Sequence, residues 1–564
     1  MQLYPTRTAA HLALTGVVMV GAGIVTQRAA IVGWGGAVLL AVAVARAVTL
    51  VSVARIRAAG FEMLWSGSKR VARTARGSTI EIKAEVRNRD TLAARYVKLR
   101  AVASSQLEVK IEPAAGEVSA SGRLEVKVKI RCPRVGQHGV HGLALEVHGA
   151  SGLFEVPLTF ANPYGVEVLP RPFATYLMQP RGGRSHLVAS AGRPGRSRGE
   201  GNELRELREQ QPGDPFRRIA WKASARRGVL LVRELEREER DVVWVVLSAP
   251  VELWAGPLGK APLDLAIDEV AAVTSRHLGR GDRVGLAIFA PGLRVVLPPD
   301  QGPVQASKIS HALTVSAGTH DGERSDLDEA DVAVRVLEHL RPLDPRGLGD
   351  VRRGDLDKLA VRADATRSRA PFAAALPGGK TARERTLRRY LASFGIDSPP
   401  RADPGRREAD VSLIEGLTHL ATVKPRASLV HVVAAPPERT LEQPLGEAVR
   451  RLSRGGATVT WSSPPLEPSL EPQPIVLAEP DAEGEEPLVR PRPDPDQAAF
   501  SKVAAEAVLA RAKLAEARRE GSLKKLGVRV IRVRHVAPAR DSELGEGDPA
   551  PSMKPLGSSG PRAS

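Results

Sequence analysis

The stretch NELRELREQQPGDPFRRIAWKASARRGVLLVRELEREER, residues 202–240, separates two differently patterned parts of the chain, and its reading decides how the fold divides. Within it Pro212-Gly213-Asp214 marks a turn: Pro pre-sets one backbone angle, Gly tolerates the reversed one, and Asp bonds its own backbone. Asp214 is placed to cap a helix over Phe216–Ala225, with Pro215 suited to the first helical position. Trp221 would anchor that helix on an apolar surface. Arg205, Arg208, Arg217, Arg218, Arg226 and Arg227 lie among acids of the same segment. Physics alone reads them first as ion pairs inside the domain and second as a surface for a partner.

C-terminal to this segment, strands and helices alternate. Val242–Leu247, Val284–Phe289 and Ser428–Ala434 are continuous apolar strands, with shorter ones at Leu293–Leu297 and Ala457–Trp461. Helical spacing covers Leu263–Leu278, Ile309–Leu313, Val332–Leu340 and Leu445–Leu452. Unbroken apolar strands between helices predict a parallel sheet covered on both faces, an α/β domain over 241–464. Residues 341–410 interrupt it, rich in Arg, Asp, Pro and Gly with one helical patch at Ala382–Phe394, and read as a partly disordered insertion. A Pro-rich acidic linker follows at 465–497. The part 498–536 contains a helix (498–520) and a strand (526–536) expected to complete the sheet, and 537–564 is a polar tail read as disordered.

N-terminal to the segment, residues 181–201 are rich in Gly, Arg and Ser and read as a flexible basic linker. Residues 61–170 alternate with period two, as in Thr79–Val86, Leu124–Ile130 and Leu143–Val147, broken by turns such as Asn88-Arg89-Asp90 and Ser121-Gly122. Such alternation marks half-buried antiparallel strands and predicts a β-sandwich of immunoglobulin-like shape. Its usual disulfide cannot form, because Cys132 is the single cysteine of the chain. Cys132 is expected in a strand as a small buried thiol.

The first 57 residues hold two apolar runs, Ala9–Thr26 and Ala29–Val53, broken by Gln27-Arg28. A helix needs about 20 apolar residues to cross a bilayer, so a transmembrane helical hairpin is expected. Gly16, Gly21, Gly23, Gly33, Gly35 and Gly36 would let the helices approach. A cleaved signal peptide accounts for the first run but leaves the second unexplained. Arg7 before the hairpin and Arg55, Arg57, Lys69 and Arg70 after it place both ends, and the soluble domains, in the cytoplasm, although Arg28 in the loop pulls the other way.

The 564-residue chain carries a formal charge of +18. No aromatic residues interleave with the basic ones as in nucleic-acid-binding modules, so solvated arginine-rich faces are the plainer reading and no nucleic-acid partner is expected. The basic linker is the weaker candidate for one. There is no P-loop, no dinucleotide fingerprint after a strand and no nucleophile elbow. Residues 1–564 therefore read as a non-enzyme with no cofactor and no small-molecule substrate identified.

The pattern L-R-E-x-x-P-G-D-x-x-R-x-I-x-W-x-A-S-A-R resembles the signature of a bacterial family, domain of unknown function 58. It is carried here by Leu207, Arg208, Glu209, Pro212, Gly213, Asp214, Arg217, Ile219, Trp221, Ala223, Ser224, Ala225 and Arg226. Gln210 and Ala220 depart from residues common in that family. The resemblance implies two inner-membrane helices, a β-sandwich, and a von Willebrand factor A-like (Rossmann-like) α/β domain. It also implies a MoxR-type AAA+ ATPase as partner, in assembly of envelope or stress-related complexes. Domains of that fold usually hold magnesium through Asp-x-Ser-x-Ser after the first strand. Here the corresponding positions are Ser248, Pro250 and Glu252: a carboxylate is lost and a proline replaces a hydroxyl. After the strand at 428–434 stands Ala434-Ala435-Pro436-Pro437 in place of an expected Asp. A degenerate, metal-free domain is expected, and with it a membrane-anchored interaction scaffold. The alternative is a metal-dependent adhesion or ligand receptor facing the periplasm.

Overall fold

The computed structural model describes residues 4–464 and 495–531, apart from 60, 68–69, 90, 92–93, 149–151, 174–192, 240, 255, 291, 345–346, 350, 352–353 and 402–404. Residues 181–192 of the expected linker, 465–494 of the acidic linker, 532–536 of the last strand and the tail at 537–564 lie outside the described residues.

Strand β1 (Tyr4–Pro5) leads into helices α1 (Arg7–Val25) and α2 (Ala29–Ala59). Both helices are long and apolar enough to cross a membrane. They pack as a hairpin turned at Gln27, whose φ is 52°. A Cβ on Gly23 would lie 2.7 Å from the Val32 nitrogen, and one on Gly35 2.8 Å from the Gly16 carbonyl. Added to Gly21, Gly33 or Gly36, it would meet nothing within 4 Å. Gly16, Gly23 and Gly35, and not all six expected glycines, therefore make the close approach. Tyr4 pairs with Glu155, and the Thr6 N–H reaches the Leu153 carbonyl at 3.0 Å, which ties the hairpin to the sandwich.

The sandwich has strands β2 (Phe61–Trp65), β3 (Val71–Ala75), β4 (Thr79–Asn88), β5 (Ala94–Ala103), β6 (Glu108–Glu112), β7 (Ala115–Val118), β8 (Arg123–Arg131), β9 (Gly136–His148) and β10 (Phe154–Leu169). One sheet runs β2-β4-β8-β6; the other runs β1-β10-β9-β5-β7, with β3 parallel to β10. The period-two residues do what alternation requires: Ala84 pairs with Val126 and Ile82 with Val128, and all four turn into one shared core. Cys132 lies just past the end of β8 rather than within a strand. It is buried, and burial pushes its thiol up to about 12.

Next come β11 (Arg193–Glu209), a short helix α3 (Trp221–Arg227) and β12 (Leu231–Glu239). The α/β part follows as β13 (Val242–Ser248), α4 (Pro262–Gly279), β14 (Arg283–Phe289), β15 (Leu293–Asp300), α5 (Gly302–Ser316), α6 (Glu329–Leu343), α7 (Leu356–Thr366), α8 (Ala382–Phe394), α9 (Arg406–Leu420), β16 (Leu429–Val433), α10 (Glu442–Arg454), β17 (Thr458–Ser462), α11 (Pro495–Lys525) and β18 (Arg529–Ile531). Its sheet has the order β15-β14-β13-β16-β17-β18, parallel except for β15. The unbroken apolar run of β13 serves two cores at once. Val243, Val245 and Leu247 pack beneath α4 and α5, while Trp244 and Val246 pack beneath α9 and α10. The last strand is shorter in the described residues than the expected 526–536, and lies at the edge beside β17.

The insertion at 341–410 differs most from its sequence reading. Its described residues are largely folded: α7 and α8 pack against the preceding α6 in a core of Val332, Leu340, Leu359, Leu387, Tyr390 and Phe394. Asp328 caps α6 through a reciprocal capping box, and the Thr381 hydroxyl accepts the Glu384 N–H at 2.9 Å to cap α8. Helix α8 ends at Gly395 in the left-handed region, where a Cβ would sit 2.7 Å from the Gly139 nitrogen of the sandwich. Its abundant Arg and Asp suggested disorder, but their pairing makes a different outcome. Arg388 is 1% exposed, bonded to Glu384 at 2.7 Å and to the Leu327 carbonyl at 2.6 Å.

Candidate functional site

Strands β11 and β12 form an antiparallel ribbon. Its far end uses the stretch expected to be a flexible linker: Arg193 pairs with Glu239 and Arg198 with Glu236. Residues 193–201 are thus strand and not linker. Composition suggested flexibility, but basic positions stand in register with an acidic run 40 residues on. Among the described residues the ribbon packs chiefly on itself and on the helical turns between its strands.

The signature residues divide into two sets. One holds the ribbon tip. Arg208 grips the Asp214 carboxylate through two bonds, at 2.8 and 2.7 Å, and the Gln211 N–H adds a third at 2.8 Å. Arg208 and that N–H hold the Asp214 carboxyl well below its usual range, at about 2. Asp214 therefore closes the Pro212-Gly213 turn and caps no helix. A single 3-10 turn spans Phe216–Arg218, and α3 starts only at Trp221. The expected helix over Phe216–Ala225 is split because Ile219 is drawn into a bridge with Val232 and buried. The Ser224 hydroxyl accepts the Leu231 N–H at 2.8 Å and donates to the Ala220 carbonyl at 3.1 Å, pinning α3 to β12. Gly228, at φ 72°, ends the helix.

The second set faces outward. Trp221 is 61% exposed, so it does not anchor α3 on an apolar surface as expected. Phe216, Val229, Leu230 and Leu207 of the same segment are also exposed. Between α3 and the ribbon lies an open groove of about 640 Å³. Leu207, Ala220, Ala223 and Leu231 line it along with Lys222, Arg226, Arg227 and Arg233. Glu209, Pro212, Arg217 and Ala225 are exposed on the same tip. Apolar contact area among cations, in an open groove, is suited to a protein segment with acidic and apolar side chains.

The carboxyl ends of β13 and β16 are filled. Ser248, Pro250, Ala249, Ala434 and Ala435 are buried, and the Trp461 indole N–H donates to the Ala434 carbonyl at 2.9 Å. Glu252 lies in the short 3-10 turn that follows β13. Among the described residues no three His, Cys, Asp or Glu side chains gather where they could hold a metal ion. The sequence reading singled out neither the groove nor a larger cavity beside Trp254. The groove lies inside the signature segment, but its shape depends on how α3 folds back on the ribbon, and the cavity is assembled from residues far apart in the chain, so no local motif signals it.

Residues 206–344 match the family described as Protein of unknown function DUF58. Uncharacterized proteins of Mycobacterium bovis and Mycobacterium tuberculosis are each 29% identical over 143 residues, 25% of this chain and 45% of theirs. The matched stretch is thus less than half the length of these relatives. Among solved structures, a PapD-like domain of human CEP192 aligns at 14% identity with a TM-score of 0.15, covering 20% of this chain and 84% of that one. An MSP-domain-like protein of Caenorhabditis elegans aligns at 14% identity with a TM-score of 0.14, covering 17% and 94%. The signature read from the sequence lies wholly inside the matched stretch, and the chain therefore carries a DUF58 segment running from the ribbon through α6.

Proposed function

We propose that this protein is a membrane-anchored docking platform without catalytic activity, which presents the groove of the DUF58 segment to a protein partner. The observation that carries this reading is the open groove between α3 and the ribbon, in a segment whose Trp221 and Phe216 are both exposed. The remaining pieces follow the family resemblance. The partner is a MoxR-type AAA+ ATPase, and the work is assembly of envelope or stress-related complexes. The hairpin crosses the inner membrane twice, with the soluble parts in the cytoplasm. The α/β part is von Willebrand A-like. Its strand order, 3-2-1-4-5-6 within the sheet and antiparallel only at the third strand, supports that reading. Its substituted positions Ser248, Pro250 and Glu252 make it metal-free.

Co-purification from detergent extracts tests the reading. The wild-type chain should recover an AAA+ ATPase, and the double variant Ala223→Trp, Arg226→Glu should lose it while keeping its melting temperature. Recovery of no ATPase by intact bait, or equal recovery by the double variant, rejects the docking role of the groove. A fluorescent protein fused to the C terminus should be bright in cells, and a dark fusion would reverse the topology.

A further inference from the structure

A cavity of about 680 Å³ opens where three parts of the molecule meet. The sandwich contributes Arg134 and His138, the α/β part Trp254, Arg294 and the turn after α5, and the insertion residues 373–378 and Asp397. The volume lies within the range of about 300–1,000 Å³ usual for small-molecule sites.

Most of the polar wall is satisfied within itself. Arg134 is matched by Asp264 at 3.2 Å, and Arg294 by Asp321 at 3.0 Å and Glu323 at 2.6 Å. The two carboxylates of the wall are already engaged. Asp321 also accepts the Gly378 N–H at 2.5 Å, and Asp397 accepts the hydroxyls of Ser104 and Ser105. Arg324 is different. It is 2% exposed, and among the described residues no carboxylate lies within salt-bridge distance of it. Its Nη1 donates to the carbonyls of Ser316 and Gly318, both at 2.8 Å, and its guanidinium lies 5.2 Å from the centre of the Trp254 ring. Its Nε and Nη2 are buried with no acceptor. Burial lowers its pKa to about 10, which leaves it charged at neutral pH.

The same wall holds further buried polar atoms without partners: Trp254 Nε1, His138 Nδ1, His320 Nδ1 and Ser398 Oγ. An indole N–H can only donate. A buried donor without an acceptor is unfavourable by about 1–3 kcal/mol. Trp254 Nε1 and Arg324 Nε and Nη2 are such donors, whereas His138 gives its Nε2 proton to the Arg134 carbonyl and keeps Nδ1 as an acceptor. Ala375, Leu376 and Val315 add apolar surface to the lining.

We propose that this cavity binds a small soluble organic anion, its carboxylate or phosphate beside Arg324 and Trp254 Nε1 and its apolar body against Val315 and Leu376. The anionic head follows from the unsatisfied donors of Arg324 and Trp254, and the apolar body follows from Val315 and Leu376. Because the wall comes from all three parts, occupancy draws the insertion and the sandwich onto the α/β sheet. The site is separate from the docking groove and does not depend on that reading.

The test is titration calorimetry on the full chain in phosphatidylcholine nanodiscs, with phenyl phosphate and benzoate as anions and benzyl alcohol as the neutral control. At least one anion should bind saturably at one site per chain, and benzyl alcohol should not. Affinity should fall about tenfold or more in Arg324→Met and less in Arg324→Lys. Ala375→Trp, which fills the hollow from an exposed position and leaves the charges in place, should abolish binding without lowering the melting temperature. No saturable binding of either anion by folded wild-type chain overturns the proposal, and so does unchanged affinity in Ala375→Trp. Loss of the signal in discs containing phosphatidylglycerol would also overturn a soluble ligand, in favour of a lipid headgroup.

Discussion

The central sheet and the signature ribbon use the same apolar residue types to opposite ends. Trp244 and Trp461 of the sheet are at most 2% exposed, whereas Trp221 and Phe216 of the ribbon are 61% and 72% exposed. The sheet is covered by helices on both faces, so an aromatic there holds the fold together. The ribbon is pinned at a few polar points, Arg208–Asp214 and Ser224–Leu231, and leaves its aromatics outside. The signature thus divides between residues that hold the ribbon and residues left on its surface.

The largest expected effect separates the two tryptophan environments. Trp461→Ala should lower stability by about 3–5 kcal/mol, since it empties a core site and leaves the Ala434 carbonyl without its donor. Trp221→Ala should stay within about 0.5 kcal/mol and act on partner recovery instead. Denaturant unfolding measures both, and equal losses would break the comparison.

Next in size is Ser224→Ala. It removes the acceptor of the buried Leu231 N–H, worth about 1–3 kcal/mol of local stability. Hydrogen exchange should quicken at Leu231 and its ribbon neighbours while the amides of β13 and β16 keep their rates. Quickening across the sheet would mean that the ribbon and sheet unfold as one unit.

Acid should divide the molecule in a set order. His339 bonds Tyr390 at 2.8 Å and His141 at 3.2 Å, joining the insertion to the sandwich. Burial pushes His141 down to about 4, opposed by Asp397, and His339 down to about 3, aided by His141. Both folded values lie below the ordinary 6.5, so the unfolded chain takes up protons first. The stability of this seam is full above about pH 6.5 and is lost as pH falls towards 4, by of order 1 kcal/mol per unit. Asp214 behaves as a paired carboxylate. Its contribution is present above about pH 3.8 and is lost only as pH falls through about 2. Hydrogen exchange between pH 7 and pH 4 should therefore show the seam loosening while the ribbon tip holds; the reverse order would contradict the comparison.

The smallest expected effect is none. Magnesium titration should give no specific thermal shift at the carboxyl edge of the sheet. A saturable shift abolished by Glu252→Ala would return the binding role to the sheet and away from the ribbon.

Much of the fold was legible where the signal is local. Apolar strands such as Val242–Leu247 exceed what a one-sided sheet needs, and the period-two stretches of 79–86 and 124–130 could bury only one face. The hairpin followed from the length of two apolar runs, of which the second carries only Arg46. What local signals misassigned were segments whose structure depends on distant partners. Residues 193–201 are a strand because β12 pairs with them, and Arg388 of the insertion is held by Glu384 within it and by the Leu327 carbonyl outside it.

The sequence by itself determined the order of the parts, the two membrane-length helices, the two kinds of sheet and the DUF58 segment. These depend on periodicity, run length and a contiguous motif, all properties of neighbouring residues. Only the tertiary structure decided that Trp221 faces outward, that Asp214 closes a turn, and that Arg134, Trp254, Arg324 and Asp397 surround one cavity. Those outcomes depend on which long-range contacts form, and exposure or an unsatisfied donor exists only once the rest of the chain has taken its place around it.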